Sequence, residues 1–414
     1  MRLIYSFLVY LLAPLIPFYL KWRGRKNPDY LTNWHERFGF KLKKSASKPI
    51  IWLHSVSVGE TRAMAKLIEI IEKNLSNYQI LITTMTPTGR KTAQNLYPQA
   101  IVHYIPYDFP YAVKKFYTNF KPKIGIIMET EIWPNLIYYA AKNEVALYLV
   151  NARLSERSYR GYNRFKWCLL PILNKFKGIF SQDEATYNNF LKLGYTGTSA
   201  IVGNTKFDLI LNDDFDTKLE KFKTLFGSRK VVTLASSRDG EEEIILNNLE
   251  LKKEIIYLII PRHPERFATL EELLIQRKIT YQKRSANQLI NSNTQVVIGD
   301  SMGEMLAYYA ISYIVLVGGS FKDFGGQNLI EAIYMQVPVI FGPSTFNFKL
   351  IAQNALKEGC AIQIQELNNL NAILDKYINT SDDYNLLKRN CQNFINQYQG
   401  ASQKIYNLMF HMKH

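Results

Sequence analysis

The stretch Val315-Leu-Val-Gly-Gly-Ser-Phe-Lys-Asp-Phe-Gly-Gly-Gln-Asn-Leu-Ile-Glu331 guides the interpretation of the whole chain. Its apolar, largely β-branched opening predicts a buried parallel strand that stops at Gly318-Gly319. A second glycine pair precedes a run from Gln327 to Met335, which predicts a helix. A strand, glycine-rich loop and helix aim N–H groups and a helix dipole at one point, which suits a phosphate, while Glu331 is placed to accept ribose hydroxyls. The same glycines also fit simple helix-on-sheet packing, so this stretch alone leaves both interpretations open.

Length and composition describe a globular chain with an anionic partner. The 414 residues are enough for two domains, and 47% are hydrophobic against 21% charged. The net charge of +16 implies nucleic acid, a membrane surface or an acidic substrate, and residues 1–50 carry half of that excess. Three widely spaced cysteines, Cys168, Cys360 and Cys391, argue against a disulfide framework or a structural zinc site.

The N-terminus carries an apolar segment. Leu3 to Leu20 is an uncharged run followed directly by Lys21, Arg23, Arg25 and Lys26. The charge follows the run and no small-residue cleavage site is visible, so a membrane anchor is favoured over a cleaved signal peptide or a buried core helix. The positive flank is expected to stay cytoplasmic. Pro14 and Pro17 leave open whether the run spans the bilayer or lies in one leaflet.

Strand-like runs alternate with amphipathic helical segments, which predicts an α/β fold with parallel sheets. The predicted strands are Ile50 to His54, Ile80 to Thr84, Ile101 to Ile105, Ile124 to Met128, Val145 to Val150, Ile179 to Ser181, Val231 to Ala235, Ile255 to Ile260, Val296 to Gly299, Tyr313 to Val317 and Val337 to Phe341. The predicted parts are an anchor with its basic flank (1–26), a first Rossmann-like domain (27–212), a charged crossing (213–227) and a second such domain (228–414). The last helix is a candidate to pack back on the first domain. Two doubly wound domains facing a cleft would bind ligands at their strand ends.

In the first domain, the opening strand ends in His54-Ser-Val-Ser-Val-Gly-Glu60. A partly desolvated carboxylate at Glu60 would have a raised pKa, which suits a general base, although a carboxylate serving a helix dipole is an equal alternative. Ser55 and Ser57 suit helix caps, and His54 is interpreted as a packed strand histidine because no nucleophile elbow or triad is visible.

Two further groups of charged residues follow strands or precede the crossing. Glu129 and Glu131 stand just past a strand, where a metal site is the weaker interpretation because no histidine or aspartate lies beside them. Lys206 and Asp208 precede the domain crossing, where an interdomain ion pair or a charge stabiliser is expected.

In the second domain, polar residues follow two more strands. Arg262 follows a strand end, where its side chain suits bidentate phosphate recognition. Asp300-Ser-Met-Gly-Glu304 follows the next strand, and its amides suit a base or a ribose. Together with Gly318-Gly319, these strand ends predict one nucleotide-sized site.

The segment Asn151 to Lys177 is basic and interleaved with aromatic residues. This composition suits the headgroup region of an anionic lipid, and the same pattern also serves RNA. The N-terminal apolar run favours lipid.

Taken together, these motifs resemble the bacterial 3-deoxy-D-manno-octulosonic acid (Kdo) transferases of lipopolysaccharide core biosynthesis. The matching motifs, in order, are His54-Ser-x-Ser-x-Gly-Glu60, Glu129-Thr-Glu-Ile-Trp-Pro-Asn135, Asn151-Ala-Arg-Leu-Ser155, Gly203-Asn-x-Lys-Phe-Asp208, Arg262-His-Pro-Glu-Arg-Phe267, Met302-Gly-Glu304, Gly318-Gly-Ser320, Asn328-x-x-Glu331 and Gly342-Pro-x-Thr-Phe-Asn-Phe348. Two positions depart from the family pattern: Gln327 stands where His is usual, and Ala332 where Pro is common.

The resemblance implies a GT-B fold and inverting, metal-independent transfer of Kdo from CMP-Kdo to the lipid A precursor, lipid IVA, with release of CMP. The reaction would take place at the cytoplasmic face of the inner membrane, without a cofactor or nucleic acid. By family analogy Glu60 is the proton acceptor, and Glu131 and Lys206 stabilise the transition state. The CMP-binding residues would be Pro261, Arg262, Met302, Gly303, Glu304, Gly318, Gly319, Ser320, Asn328, Leu329, Ile330 and Glu331. The acceptor-binding residues would be Ser57, Gly59, Arg153 and Arg157.

Two alternatives remain. One is another GT-B enzyme, either a nucleotide-sugar epimerase or a different lipid glycosyltransferase. The other is a membrane-tethered basic protein that binds nucleotide or RNA without catalysis, whose RNA affinity would fall linearly with log salt.

Overall fold

The structure is a computed structural model that describes residues 2–42, 48–211 and 214–411. The chain forms two compact units. The first consists of Met1–Ile210 with Gln399–His414, and the second of Leu211–Tyr398. Residues 212 and 213, where the predicted domain boundary falls, lie outside the described residues.

The strands of the described residues are all parallel to their neighbours. They are β1 Ile50–Ser55, β2 Gln79–Thr84, β3 Ile101–Tyr104, β4 Ile124–Met128, β5 Ala146–Ala152, β6 Gly178–Ser181, β7 Thr198–Ile201, β8 Lys230–Ser237, β9 Ile255–Pro261, β10 Tyr281–Lys283, β11 Val296–Ile298, β12 Ile314–Val317, β13 Val339–Phe341 and β14 Ala361–Gln363. The eleven predicted strands are all present, and β7, β10 and β14 were not predicted.

The helices lie between and around the strands. They are α1 Arg2–Leu12, α2 Leu15–Lys26, α3 Val58–Ala63, α4 Ala65–Asn74, α5 Pro87–Leu96, α6 Pro110–Phe120, α7 Pro134–Lys142, α8 Glu156–Arg164, α9 Lys166–Leu173, α10 Glu184–Lys192, α11 Phe215–Phe226, α12 Glu241–Asn248, α13 Phe267–Gln276, α14 Met305–Ile311, α15 Ile330–Tyr334, α16 Lys349–Lys357, α17 Leu370–Asn379, α18 Ser381–Tyr398 and α19 Ala401–Phe410. Short 3-10 turns cover Pro28–Leu31, Trp34–Phe38, Thr205–Phe207, Pro264–Arg266, Arg284–Ala286 and Leu367–Asn369.

The first sheet has the order β3-β2-β1-β4-β5-β6-β7. Helices cover both of its faces, so strand residues on both faces are buried, as parallel sheets require. Trp52 on β1 is fully buried, packs edge-on against Phe116 of α6 and donates from Nε1 to Thr83 Oγ1 at 2.8 Å. The strand order reverses between β1 and β4, and ligands of doubly wound sheets bind at the carboxyl ends beside such a reversal.

The second sheet has the order β10-β11-β9-β8-β12-β13-β14, and its order reverses between β8 and β12. The segment predicted as a domain crossing forms α11 within this unit. Phe222 of α11 is fully buried and packs edge-on against Tyr308, with ring centroids 5.1 Å apart. This segment is therefore part of the core of the second unit.

The N-terminal helix α1 is fastened to the first unit through Asn135 at the start of α7. Arg2 Nη1 and Ser6 Oγ each donate to Asn135 Oδ1 at 3.0 Å. Large apolar side chains of both N-terminal helices remain exposed, among them Leu3, Phe7 and Phe18. Among the described residues, no single helix is long and apolar enough to cross a membrane, whereas α1 and α2, which meet at a 54° bend, qualify as a pair by length and composition.

Candidate active site

Glu60 lies in the first turn of α3, just past the carboxyl end of β1. Ser57 is the N-cap of α3 and donates from Oγ to Glu60 Oε1 at 2.9 Å, while the Val56 N–H donates to Oε2 at 2.8 Å. The carboxylate is therefore oriented by its own turn. This geometry fits both interpretations of Glu60, as a general base and as a carboxylate that complements the helix dipole, because one carboxylate can do both.

Three carboxylates meet where the first sheet reverses its order. Burial raises the pKa of Glu60, and the neighbouring carboxylates of Glu129 and Glu131 raise it further. The hydrogen bonds from Val56 and Ser57 act in the opposite direction and lower it. The pKa of Glu131 is also raised by burial, although Trp133 donates from Nε1 to Glu131 Oε2 at 2.6 Å. The raised pKa of Glu60 is what is expected of a general base.

Lys206 supplies the cation of this group. Its Nζ lies 3.0 Å from Glu129 Oε1, so the ion pair joins the end of β4 to the turn that follows β7. Among the described residues, no group of three or more His, Cys, Asp or Glu side chains is arranged to hold a metal ion.

Lys206 and Asp208, for which an interdomain ion pair or a charge stabiliser was expected, have separate partners within the first unit. Asp208 accepts hydrogen bonds from the Gly400 and Ser402 N–H groups, each at 2.6 Å. These donors open α19, and all four residues belong to the first unit. Asp208 thus holds the C-terminal helix, whereas Lys206 faces Glu129.

The backbone is strained at the carboxyl ends of β4 and β5. Glu129 and Asn151 adopt left-handed conformations with φ of 58° and 50°, which non-glycine residues rarely do. Asn151 is fully buried, and its Oδ1 accepts the Thr205 N–H at 3.0 Å, which fixes the turn that carries Lys206. Tertiary hydrogen bonds next to the carboxylates stabilise this left-handed backbone.

His54 is a structural histidine. It is fully buried on β1, and its Nδ1 lies 3.0 Å from the Thr83 carbonyl oxygen. Burial lowers the pKa of His54 to about 4, so the ring is neutral at physiological pH.

The predicted acceptor-binding residues fall into two groups. Ser57 and Gly59 adjoin Glu60 in the first turn of α3. Arg153 is exposed in the loop before α8, and Arg157 is exposed in the first turn of that helix, which Ser155 caps. Farther along this basic segment, Phe165 and Trp167 are each 63% exposed, which leaves two large aromatic rings facing solvent.

In the second unit, the predicted nucleotide-binding residues follow β9, β11 and β12. Arg262 is exposed just past β9, and its N–H donates to the Ser237 carbonyl oxygen at 3.0 Å. Met302 is 73% exposed beside Gly303, which has a φ of 77° and open space around the position that a Cβ would occupy. Glu304 pairs with Arg284 at 3.0 Å, so its carboxylate already has a cationic partner.

Asn328 organises the start of α15. Its Oδ1 accepts the Ile330 N–H at 3.0 Å, and its Nδ2 donates to Glu331 Oε1 at 3.1 Å. The helix predicted within Gln327 to Met335 is present, but it begins at Ile330 rather than at Gln327, and Glu331 lies in its first turn. Leu329 and Ile330 are buried, so neither side chain is available to a ligand.

The glycine-rich loop is not the open cradle of N–H groups that the sequence predicted. The N–H groups of Gly319 and Phe321 donate to the Glu241 carboxylate at 2.6 Å and 3.0 Å. Ser320 is fully buried, and its Oγ donates to the Val317 carbonyl and accepts the Gly342 N–H. These amides and this hydroxyl are therefore committed within the protein.

Gly318 and Gly319 are required for different reasons. A Cβ at Gly318 would lie 2.5 Å from the Ser236 carbonyl oxygen, so the β8 backbone leaves no room for a side chain. Gly319 has a φ of 72°, and a Cβ there would lie 3.0 Å from Nε2 of Gln327, the residue that departs from the family pattern. Pro261 is buried as the last residue of β9.

Sequence reasoning missed Glu241 and Glu242, which open α12 just past β8. The run Arg238-Asp-Gly-Glu-Glu-Glu243 does follow a predicted strand, so its position at a strand end was visible in the sequence. Three successive acids at a helix start are common on protein surfaces, and their burial here depends on contacts distant in sequence.

Comparison with known proteins gives concordant results. A family model described as 3-deoxy-D-manno-octulosonic-acid transferase (kdotransferase) matches residues 32–209. A 3-deoxy-D-manno-octulosonic acid transferase of Haemophilus influenzae is 33% identical over 99% of this chain and 98% of its own length. One from Bordetella pertussis is 34% identical over 87% of this chain and 88% of its own length.

Among solved structures, the UDP-GlcNAc 2-epimerase of Neisseria meningitidis, bound to UDP-GlcNAc, matches with a TM-score of 0.59. The match covers 88% of this chain and 100% of that chain at 16% identity, so it shows the fold alone. The resemblance found in the sequence is thus confirmed by relatives that match almost from end to end: the chain belongs to the family of 3-deoxy-D-manno-octulosonic acid transferases and is a glycosyltransferase.

Proposed function

We propose that this enzyme transfers Kdo from CMP-Kdo to a sugar hydroxyl of the lipid A precursor, lipid IVA, with Glu60 as general base. The observation that carries the proposal is the position of Glu60 at the carboxyl end of β1, where burial and two carboxylates raise its pKa. The relatives are named as Kdo transferases, which supports this donor sugar.

In the proposed step, Glu60 takes the proton of the acceptor hydroxyl as its oxygen attacks the anomeric carbon of Kdo. The bond from that carbon to the CMP phosphate oxygen breaks, and CMP leaves with the electron pair. One displacement inverts the configuration at the anomeric carbon. Lys206 and Glu131 belong to the charged group around Glu60 and are proposed to stabilise the transition state.

The second unit is proposed to bind the donor. Arg262, exposed past β9, is suited to hold the leaving phosphate without a metal ion, because a guanidinium offers paired donors and a fixed charge. Glu331, placed in the first turn of α15 and held by Asn328, is suited to accept ribose hydroxyls. Gly303 and Glu304 are proposed to contact the nucleotide past β11.

We also propose that the N-terminal helices attach the enzyme to the cytoplasmic face of the inner membrane. The exposed apolar side chains of α1 and α2 are followed by Arg23, Arg25 and Lys26, a pairing that suits an anionic lipid surface. Binding of the full chain to vesicles with and without anionic phospholipid tests this proposal. Attachment that is absent from both kinds of vesicle would refute it.

The function is tested by incubating the purified full chain with CMP-Kdo and lipid IVA and by recording CMP release and product mass. The proposal predicts a Kdo-lipid product with one CMP released for each Kdo added. If neither product nor CMP forms, the proposal fails. Epimerised nucleotide sugar, or tight salt-sensitive RNA binding without transfer, would favour the other interpretations.

A further inference from the structure

Glu241 lies where the second sheet reverses its order. It follows β8 as the first residue of α12, and it is 0% exposed. The neighbouring strand across the reversal is β12, which leads into the glycine-rich loop. A buried carboxylate at this point is costly unless its oxygens are well paired.

The pairing of Glu241 comes from three backbone N–H groups. Arg238 and Gly319 donate to Oε2 at 2.7 Å and 2.6 Å, and Phe321 donates to Oε1 at 3.0 Å. Charge-assisted hydrogen bonds of this kind are stronger than neutral ones. The loops after β8 and β12 therefore converge on one carboxylate, in the way that backbone amides converge on a bound anion.

Glu242 connects the start of α12 to the loop after β9, through Arg266. It is 2% exposed, and it accepts hydrogen bonds from Ser237 Oγ and Arg266 Nη2, each at 2.8 Å. Burial raises the pKa of Glu242, which its hydrogen bond from Ser237 opposes. Arg266 lies four residues beyond Arg262, so the loop that carries the proposed phosphate ligand is fastened to the same helix start.

A carboxylate that only complements its helix dipole would not need these partners. The donors at Gly319 and Phe321 lie 78 and 80 residues from Glu241 in the chain. The helix start thus connects the ends of β8, β9 and β12, and the loops after β9 and β12 contain predicted nucleotide-binding residues.

We propose that Glu241 is a positioning residue for the donor. It holds Gly318 to Phe321 in the conformation that binds the CMP moiety, and it does so without contacting the donor itself. This inference rests on the proposed function of the second unit. It also places the donor phosphate away from the Gly319 and Phe321 N–H groups, because their partner is already an anion.

The test compares Glu241→Gln with Glu243→Gln in the full chain. Glu243 is the matched control, because it is the next acid but one and its side chain is 62% exposed. In Glu241→Gln the new side-chain amide would place an NH₂ group against backbone donors, so we expect the KM for CMP-Kdo and the inhibition constant of CMP each to rise about tenfold. The KM for lipid IVA is expected to stay unchanged, and amide exchange at Gly319 and Phe321 to accelerate.

The measurements distinguish a role in donor positioning from a role in stability alone. Unchanged donor KM and CMP inhibition with only a lower Tm would overturn the inference, since that pattern indicates stability alone. If Glu241→Gln does not fold, Glu241→Asp keeps the charge but shortens the reach, and it must raise the donor KM for the inference to stand. A wild-type chain that neither binds CMP nor transfers Kdo would instead refute the proposed function.

Discussion

Nζ of Lys206 lies 3.0 Å from Oε1 of Glu129, and this ion pair sits beside Glu60 at the reversal of strand order in the first sheet. The two side chains are 34% and 17% exposed, so the pair is only partly screened by solvent. The charge of Glu129 contributes to the raised pKa of Glu60, and Lys206 is the cation paired with Glu129. The acid–base behaviour of Glu60 therefore depends on a group of charges rather than on burial alone.

Removal of the Lys206 charge should alter both the rate and its pH dependence. In Lys206→Gln, Glu129 would keep its charge without a cationic partner, so the pKa of Glu60 should rise and the acid limb of the rate profile should move to higher pH. We also expect transfer at about pH 8 to fall roughly a hundredfold, as for loss of one stabilising group at a transition state. Lys192→Gln, at an exposed lysine of α10, is the control. An unshifted profile would exclude this coupling.

Gly318→Ala should impair donor binding through the backbone. The new Cβ would meet the Ser236 carbonyl at 2.5 Å, and this oxygen cannot turn away as a flexible side chain would. We expect CMP affinity to fall at least about tenfold, with a lower Tm. Gly161→Ala in α8 is the matched control, because nothing lies within 4 Å of its Cβ and alanine favours a helix. Equal CMP affinity in both variants would contradict the packing argument.

The first unit should lose stability in acid through Glu36. Burial favours the neutral form of this carboxyl, but hydrogen bonds from His103 and Arg90 prevail and lower the pKa of Glu36 to about 2. The folded state thus takes up this proton at a lower pH than the unfolded state does. The stabilisation of the folded state by Glu36 is therefore present above about pH 4.5 and is lost as the pH falls towards about 2. Glu36→Gln should lower the Tm at neutral pH and weaken the loss of stability between about pH 4.5 and about pH 2, both measured by circular dichroism. Glu69→Gln, at an exposed pair with Lys66, should leave both unchanged.

The sequence predicted the central strands and the edge strand β3, but it missed the other three edge strands, β7, β10 and β14. Runs such as Ile255–Pro261 are buried along their whole length and therefore form continuous apolar segments in the sequence. Edge strands such as Thr198–Ile201 and Tyr281–Lys283 are short and only partly buried, so they lack that pattern. Their positions depend on pairing with β6 and β11.

For the candidate site, local sequence patterns identified which residues lie at strand ends but not which residues they contact. Glu60 was found because it follows a predicted strand within a few residues. The role of Glu241 was missed because two of its donors come from another loop far along the chain. The helix predicted at Gln327 begins later, since the Gln327 N–H donates to Gly318 and Asn328 caps Ile330 instead.

The central claim, that Glu60 is the base, is tested most directly by the transfer rate of Glu60→Gln with CMP-Kdo and lipid IVA. Gln keeps the size of the side chain, and its remaining oxygen can still accept the Val56 N–H, but it cannot take a proton. We therefore expect the rate to fall by about a thousandfold while CMP binding stays at the wild-type level. Glu69→Gln on α4 serves as the control. A Glu60→Gln enzyme that still transfers Kdo at the wild-type rate would contradict the account.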